Sequence, residues 1–432
     1  MPTAPARPYT SRVAGPSIAV MAGLVLAYAL LAKRLSAANI TPPMLSIVAG
    51  VVVFSFAEID VDTAAVHIIA ELTLVVVLFH DASTVKLSRL RHDPGIALRL
   101  LIIGFPLAML ATYLLTRELL PGLGVAGAWL LAAAVTPTDA GLGAPTMLNP
   151  VVPKRVRRAL NVESGLNDGL ATPLVLLALT ALADEEGATQ PSVLSVGLIP
   201  VVEALIIAVV IGLVTAWFMD RSRQRHLSGH RGRAIATLVL PLFLFGLAEV
   251  VGANGFITAF VGGLTFGAAS KTIEKEQETS ELLEVAADLM GFVVWFFAGG
   301  IVLAVFSDGF RWQWVALALA VLTVLRIVPV WISLLGTEFR WPTVAFLGWF
   351  GPRGLATIVF GLLAVEELGA DNAVMNDIAG TIVFTVLFSV FAHGMSAAPL
   401  AARYGAWAKR TQPPIERAPS VEPMPSRGRH GY

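Results

Sequence analysis

Cysteine is absent from this chain of 432 residues, and charged residues are scarce, at 14% of the total. Without cysteine the protein forms no disulfide, thiolate metal site or iron–sulfur centre, and His67 and His393 lack metal-ligand spacing. The 30 basic and 30 acidic residues cancel, and no basic stripe indicates a nucleic-acid partner. Phosphate-cradling loops and kinase motifs are missing, which disfavours a nucleotide partner or an ATP-driven pump. We therefore expect no cofactor.

Long apolar runs dominate the sequence instead. Hydrophobic residues make up 56% of the chain, more than one soluble core of this size would bury. A helix needs roughly 20 apolar residues to cross a bilayer, and about thirteen such runs can be counted. We predict an all-α polytopic membrane protein. The predicted spans lie at residues 14–32, 40–57, 65–82, 96–116, 124–148, 158–182, 194–218, 233–250, 254–270, 284–306, 312–335, 342–365 and 378–399.

Positive charges in the connecting loops alternate along the chain. Lys and Arg in short loops stay on the cytoplasmic side, and such residues follow every odd-numbered span, beginning with Lys33 and Arg34. Loops after even-numbered spans are acidic or nearly neutral. The pattern predicts an extracellular N-terminus and a cytoplasmic C-terminus in the cell membrane. We expect a disordered N-terminal segment at residues 1–12, a transmembrane domain at 13–400 and a mostly disordered cytoplasmic tail at 401–432.

Spans five and twelve carry Gly/Pro interruptions, Thr136–Thr138 in one and Gly351–Gly354 in the other. Thirteen spans fit two six-helix inverted repeats separated by one extra helix, in which spans seven apart run in opposite directions. Discontinuous helices at corresponding positions of two such repeats predict a transport site.

The string Thr136-Pro137-Thr138-Asp139 interrupts the fifth span. Proline cannot donate a backbone hydrogen bond, so carbonyls are freed beside the two threonine hydroxyls and the Asp139 carboxylate. Oxygen-only ligands of this kind suit a hard monovalent cation, and non-helical backbone at membrane depth must line a cavity or be buried. A proline kink with self-satisfied hydroxyls is an equally good interpretation of this string by itself.

The sixth span contains Glu-Ser-Gly-Leu-Asn-Asp-Gly at residues 163–169. Ser164 and Asp168 are four residues apart on one helical face, while Glu163 and Asn167 form a second pair turned by about 100°. Ser164 and Asp168 are placed to coordinate an ion together with Thr138 and Asp139.

Charges inside the membrane are costly and persist mainly beside a partner or a cavity. Arg326 is the obvious partner of Glu163, either as part of the transport machinery or as a merely stabilising pair. That pairing leaves Asp168 as the carboxylate available to an exchanged ion. Arg353 lies near the membrane centre if span twelve is broken there, and nearer the interface if it is not.

In order and spacing these motifs resemble the sodium/proton antiporters of the NhaP and NHE type, within the monovalent cation:proton antiporter superfamily. The resemblance implies an NhaA-like fold with discontinuous crossing helices, in a homodimer whose core domains move by alternating access. It also implies the roles of individual residues. The ion- and proton-binding residues would be Asp168, Asp139, Thr138, Ser164 and Asn167, with the monovalent cation at Asp168, Thr138 and Ser164, the core ion pair at Glu163 and Arg326, and a further core charge at Arg353.

The sequence therefore predicts exchange of one monovalent cation for one proton. Sodium is expected, with lithium or potassium as alternatives, and Asn167 before Asp168 resembles the electroneutral branch of the superfamily. A proton and a cation would compete for Asp168, and each loaded state would cross the membrane. A cation channel and an intramembrane protease with Asp139 and Asp168 as its dyad are the alternatives from other classes.

Overall fold

A computed structural model describes residues 11–56, 63–85, 95–185, 199–275, 279–307, 309–369, 372 and 374–418. The predicted disordered N-terminus lies almost wholly outside these ranges, as do residues 419–432 of the predicted tail and the acidic loop at 57–62. The described residues are helical, with no strand among them. A short 3₁₀ helix, Pro121–Leu123, and a short α-helix, Lys271–Lys275, also occur.

The helices follow one another with short connections. In chain order they are α1 (Ser11–Ala37), α2 (Pro42–Phe56), α3 (Thr63–Thr84), α4 (Gly95–Leu119), α5 (Gly124–Val135), α6 (Ala140–Met147), α7 (Lys154–Glu185), α8 (Ile199–Gln224), α9 (His230–Val251), α10 (Gly255–Ala269), α11 (Glu281–Ser307), α12 (Trp312–Leu322), α13 (Val324–Ser333), α14 (Trp341–Trp349), α15 (Leu355–Leu368) and α16 (Met375–Thr411).

Each predicted span falls on one of these helices or on a pair of them, which confirms the all-α fold class. Ten described segments are long and apolar enough to cross a membrane, and α2 and α10 are shorter apolar helices. The count of thirteen spans, the inverted repeat and the orientation of the termini stay predictions.

Large apolar side chains cover the outer surface of α8. Ile206, Trp217 and Phe218 are each about 60% exposed, and the neighbouring turns carry further exposed valines and leucines. A contiguous apolar surface of this kind would be unstable in water but is matched by lipid. This helix is therefore a membrane-facing element.

The helices pack in two groups. In the first group α2 packs on α11, α8 on α10, and α3 on both α10 and α11. Gly50 and Gly299 let α2 and α11 touch backbone to backbone, because a Cβ on Gly299 would lie 2.5 Å from the Val51 nitrogen. In the second group α5 and α6 pack on α7, while α12, α6 and α15 pack on α16. The interrupted spans all belong to this second group.

Two irregularities in the second group were not predicted. A π-helical turn at Leu100–Gly104 interrupts α4, and Thr323 separates α12 from α13 with φ −120° and ψ −93°. π-turns and helix breaks often accompany functional positions. The break at Thr323 comes three residues before Arg326 and so sets the direction of the helix that carries this arginine.

The structure describes residues 401–418 of the predicted tail. Helix α16 continues without interruption to Thr411, and the residues that follow it, up to Ala418, turn back onto the protein. Glu416 in this turn is only 1% exposed. Composition rich in proline and charge indicates disorder only when no folded surface binds the segment, and here part of the segment is bound.

Candidate functional site

Two broken helices cross in the second group. The chain leaves the helical conformation between α5 and α6, at Thr136–Asp139, and between α14 and α15, at Phe350–Gly354. The backbone N–H of Asp139 donates to the Pro352 carbonyl over 2.7 Å, so the two breaks are joined directly. Both breaks occur where the sequence predicts them. The Gly/Pro strings therefore mark a real discontinuity and not a simple proline kink in a continuous helix.

Asp139 lies at the centre of this crossing and is 3% exposed. One carboxylate oxygen accepts the Leu142 N–H over 3.0 Å and caps α6, while the other accepts the Leu355 N–H over 2.8 Å at the start of α15. A negative charge between two helix N-termini is stabilised by both dipoles. The sequence predicts Asp139 as an ion ligand and gives no sign of its contact with this second helix. Asp before a helix is a recognisable N-cap signal, but only for the helix that it precedes.

Arg353 lies in the other break and is fully buried. Its Nη1 donates to the Pro137 carbonyl over 3.2 Å, and its backbone N–H donates to Ser389 Oγ over 2.5 Å. Its positive charge thus faces the carbonyl end of α5, where the helix dipole is negative. Span twelve is broken at this residue, which is the condition under which the sequence places Arg353 near the membrane centre.

The carbonyl end of α14 has a further support that sequence analysis missed. His393 Nε2 lies 2.9 Å from the Trp349 carbonyl oxygen, and His393 Nδ1 lies 3.1 Å from the Ser389 carbonyl oxygen. Ser389 is the residue that also receives the Arg353 N–H. In the sequence His393 lacks metal-ligand spacing, and no other role was predicted for it. No local signal connects it to a carbonyl 44 residues earlier.

Hydroxyl and amide groups gather where the first break meets α7. Thr138 Oγ1 lies 2.9 Å from Ser164 Oγ and accepts a hydrogen bond from Asn167 Nδ2 over 2.7 Å. All three side chains are buried. Asn167 Oδ1 is buried without a hydrogen-bond partner among the described residues. Asn167, which helical spacing pairs with Glu163 and which the family resemblance includes among the ion-binding residues, thus contacts Thr138 directly.

Asp168 is one helical turn beyond Ser164 on α7 and is 4% exposed. Its carbonyl accepts the Thr172 hydroxyl over 2.8 Å, as helix geometry allows. Arg353 is close enough to Asp168, Glu163 and Arg326 for their charges to act on it. Asp168 therefore belongs to a cluster of four charged residues around the crossing.

Glu163 and Arg326 form a bidentate ion pair between α7 and α13. Arg326 Nη1 donates to Glu163 Oε1, and Nη2 donates to Glu163 Oε2 over 2.8 Å. Both side chains are almost completely buried. Arg326 Nη2 also lies 3.4 Å from the Leu347 carbonyl of α14. The pair thus joins α7, the helix of Asp168, to α13, and Arg326 also reaches α14.

A cavity of about 420 Å³ reaches the crossing from one end of the helices. Its lining includes Asn39 and Asn149, at the ends of α1 and α6 that the charge pattern places in the cytoplasm, and Tyr28, Asp139 and Asp288 further in. The cavity brings acidic and amide oxygens together with Asp139, whereas Thr138, Ser164 and Asp168 are not part of its lining.

Close packing at the crossing leads to a first prediction. A Cβ on Gly354 would lie 2.5 Å from the Asp139 carboxylate carbon, and rigid backbone holds both groups. We expect Gly354→Ala to break the Asp139 cap on α15 and to lower the unfolding temperature. Thermal unfolding of the purified protein measures the effect.

Gly246→Ala is the matched control. Gly246 is in the middle of α9, with no other atom within 4 Å of an added Cβ. Alanine is favoured over glycine inside a helix by about 1 kcal/mol, so this variant should be as stable as the wild type or more so. Equal effects of the two substitutions would contradict the proposed fit at Gly354.

Comparison with known proteins supports this description. The family model described as "Sodium/hydrogen exchanger, transmembrane" matches residues 20–403, most of the chain. The chain belongs to this family. It is a multi-pass membrane protein with the fold of a solved member: the structure of the sodium proton antiporter MjNhaP1 from Methanocaldococcus jannaschii at pH 8 matches with a TM-score of 0.69 at 21% identity. The match covers 90% of this chain and 99% of that one.

Curated relatives share about a quarter of their aligned residues with this chain. A probable Na⁺/H⁺ antiporter of Schizosaccharomyces pombe is 26% identical over 65% of this chain, and the low-affinity Na⁺/H⁺ antiporter NhaS1 of Synechocystis is 24% identical over 85%. The K⁺/H⁺ antiporter NhaP2 of Shewanella baltica is 24% identical over 78%. This chain spans 41%, 71% and 57% of these relatives, and less than two-thirds of each yeast antiporter that it matches.

Proposed function

We propose that the protein is a secondary transporter that exchanges a monovalent cation for protons. The observation that carries the proposal is the junction of the first break with α7, where Thr138, Ser164 and Asn167 are hydrogen-bonded one turn from the buried Asp168. Two hydroxyl oxygens, an amide oxygen and a carboxylate form the ligand set that a hard cation requires. The relatives named as Na⁺/H⁺ and K⁺/H⁺ antiporters support the same function.

In this mechanism Asp168 alternates between two charge-neutral states. A proton or a cation neutralises the carboxylate, and either loaded form crosses because the charge of the site is compensated. The empty anion is costly to move, so one ion must bind before another is carried across. Glu163, held by Arg326, and Asp139, held by two helix ends, keep their own charges compensated throughout the cycle. The expected stoichiometry is one cation for one proton.

In this proposal Asp139 has a structural role and no catalytic role. An intramembrane aspartyl protease would need a pair of carboxylates open to substrate and water, whereas both Asp139 oxygens accept backbone N–H groups. A transporter without hydrolytic activity therefore agrees better with the geometry. The broken helices likewise favour alternating access over an open channel. We expect a homodimer in the cell membrane, with the C-terminus in the cytoplasm.

Proteoliposomes with a pH-sensitive dye inside test the function. Gradients of sodium, potassium and lithium are applied in turn, with the membrane potential clamped at zero and then left free, and empty liposomes are the background. We expect proton movement opposite to the cation gradient and unaffected by the clamp. Cation flux without counter-transported protons would show a channel, and no flux under any gradient would refute exchange. The response to each cation identifies the transported ion.

Ser164→Ala should weaken cation binding selectively. The substitution removes one hydroxyl ligand but leaves Thr138 hydrogen-bonded to Asn167. We expect KM for the cation to rise about tenfold, equivalent to about 1.4 kcal/mol, while the maximal rate changes little. Thr180→Ala is the control, because Thr180 is on the same helix and donates only to the Leu176 carbonyl. An unchanged KM in Ser164→Ala would place the cation elsewhere.

Competition at Asp168 also predicts the pH dependence of exchange. Protons occupy the carboxylate as the pH falls, so more cation is needed to fill the same fraction of sites. KM for the cation should therefore rise on acidification, by up to tenfold per pH unit, while the maximal rate at saturating cation changes less. A cation KM independent of pH would show that the two ions bind at separate sites.

A further inference from the structure

The chain after α16 returns to the protein and binds two helices of the exchange site. Gln412 has φ +45°, in the left-handed region, and this reverses the chain at the end of α16. The segment Gln412–Ala418, here called the clasp, then lies against the first residues of α7 and α14. Neither the motifs nor the exchange mechanism accounts for these contacts.

Glu416 is the buried residue of the clasp. One of its carboxylate oxygens accepts the Arg340 backbone N–H over 3.1 Å and the Thr343 hydroxyl over 2.8 Å. Arg340 is the N-cap residue of α14, and its own side chain makes no capping hydrogen bond. Glu416 therefore supplies, from 76 residues away, the negative group that a helix N-terminus favours. Tyr404 of α16 completes the contact through its hydroxyl, 2.9 Å from Thr343 Oγ1.

The same segment holds the start of α7. Arg155 Nη1 donates to the Ile415 carbonyl over 3.0 Å, and the Arg155 guanidinium lies over the Phe339 ring at 5.5 Å. Phe339 immediately precedes Arg340. The clasp thus joins the first turn of α7, which carries Ser164 and Asp168 further along, to the first turn of α14.

The far end of α14 leads directly into the crossing. Gly351, two residues beyond α14, is packed so closely that an added Cβ would lie 3.1 Å from Thr138 Cγ2. A shift of α14 at its first turn is therefore passed to Thr138, a proposed cation ligand, because a helix of nine residues moves as a rigid rod. Loss of the clasp contacts would let α14 shift and would alter the distance between the Thr138 and Ser164 hydroxyl oxygens.

We propose that Glu416 is a positioning residue for cation binding, which acts by fixing the start of α14 relative to α7. This inference rests on the proposed cation exchange for its functional part. Its structural part, the capping of α14 by the clasp, is independent of any transport activity. The two parts are tested by separate measurements on the full-length protein.

Hydrogen–deuterium exchange measures the structural part. In Glu416→Ala the amides of the first turn of α14 should exchange at least tenfold faster than in the wild type, because the cap is lost. Glu416→Gln should restore protection, since its amide oxygen accepts the same two hydrogen bonds. Glu338→Ala is the control, because Glu338 is exposed and lies two residues before Arg340. If the first-turn amides of α14 exchanged no faster in Glu416→Ala than in the wild type, the proposed capping of α14 by Glu416 would be wrong.

Sodium-driven proton flux measures the functional part, or flux driven by whichever cation the wild type transports. We expect KM for the cation to rise at least threefold in Glu416→Ala and to stay near the wild-type value in Glu416→Gln and Glu338→Ala. A purely structural role would lower the amount of folded protein, and hence the maximal rate, without changing KM. Faster amide exchange with an unchanged KM would therefore overturn the positioning role. If the wild type exchanged no cation, the proposed function would be refuted. The amide-exchange measurement would still show whether Glu416 caps α14.

Discussion

Asp168→Asn should reduce cation-driven proton movement to the level of empty vesicles, a loss of at least a hundredfold. Asparagine keeps the size of the side chain and can still form hydrogen bonds, but it neither binds a proton in this pH range nor neutralises a cation. With a cation bound, the site would carry one positive charge more than in the wild type. Without a cation, the site would hold no exchangeable proton. Flux in proteoliposomes under opposing cation and pH gradients is the measurement.

The same variant should remain folded. Replacing a buried carboxylate by a neutral amide removes a desolvation cost, so the unfolding temperature is expected to stay the same or to rise. Glu203→Gln is the matched control, since it removes a carboxylate on α8, outside the crossing, and should exchange as the wild type does. Exchange that persists in Asp168→Asn would remove this residue from the mechanism and leave the polar cluster at Thr138 without its carboxylate.

Arg326→Ala should have the largest effect on stability. It leaves Glu163 buried without the guanidinium that binds both of its oxygens, and breaking a buried ion pair in this way costs about 3–5 kcal/mol. We expect a strongly lowered unfolding temperature and little protein in the monodisperse fraction. Arg311→Ala is the comparison, because Arg311 is 46% exposed and its partner Asp377 keeps a hydrogen bond from Trp314 Nε1. Its loss should cost much less.

A double variant separates stability from transport. Glu163→Leu combined with Arg326→Met replaces the pair by apolar side chains, an exchange that is often neutral or stabilising in other proteins. If the pair only holds α7 and α13 together, this variant should fold and exchange ions. Stable protein without exchange would show that the two charges take part in the transport cycle. This outcome decides between the two roles that the sequence left open for Glu163 and Arg326.

The sequence predicts well those features that depend on neighbouring residues. Apolar runs of sufficient length form helices in lipid because the backbone has no other partner there, so the predicted spans match the observed helices. Pro137 removes a backbone hydrogen-bond donor, and the glycines of Gly351–Gly354 disfavour a helix. Both breaks can therefore be predicted from the local sequence. The spacing of Ser164 and Asp168 follows from the helical repeat alone.

The limits of the prediction appear wherever partners are far apart in sequence. The contact of Asn167 with Thr138 is one example, because helical spacing pairs Asn167 with Glu163 but does not show which side chain of another helix it meets. The contact of Glu416 with Thr343 is another, because the composition after α16 is that of a polar tail. Both contacts depend on the packing of chain segments against one another, which helical periodicity does not describe.

By itself the sequence determined the membrane class, the positions of the helices, the two breaks and the carboxylates inside the bilayer. Each of these follows from short-range rules: hydrophobic length, proline and glycine geometry, and the cost of a charge in lipid. The tertiary structure alone decided that Asp139 caps a helix that begins 216 residues later, that Arg353 donates to the Pro137 carbonyl after α5, and that Glu416 caps the start of α14. These contacts exist only because packed helices bring distant polar groups together where lipid offers them no other partner.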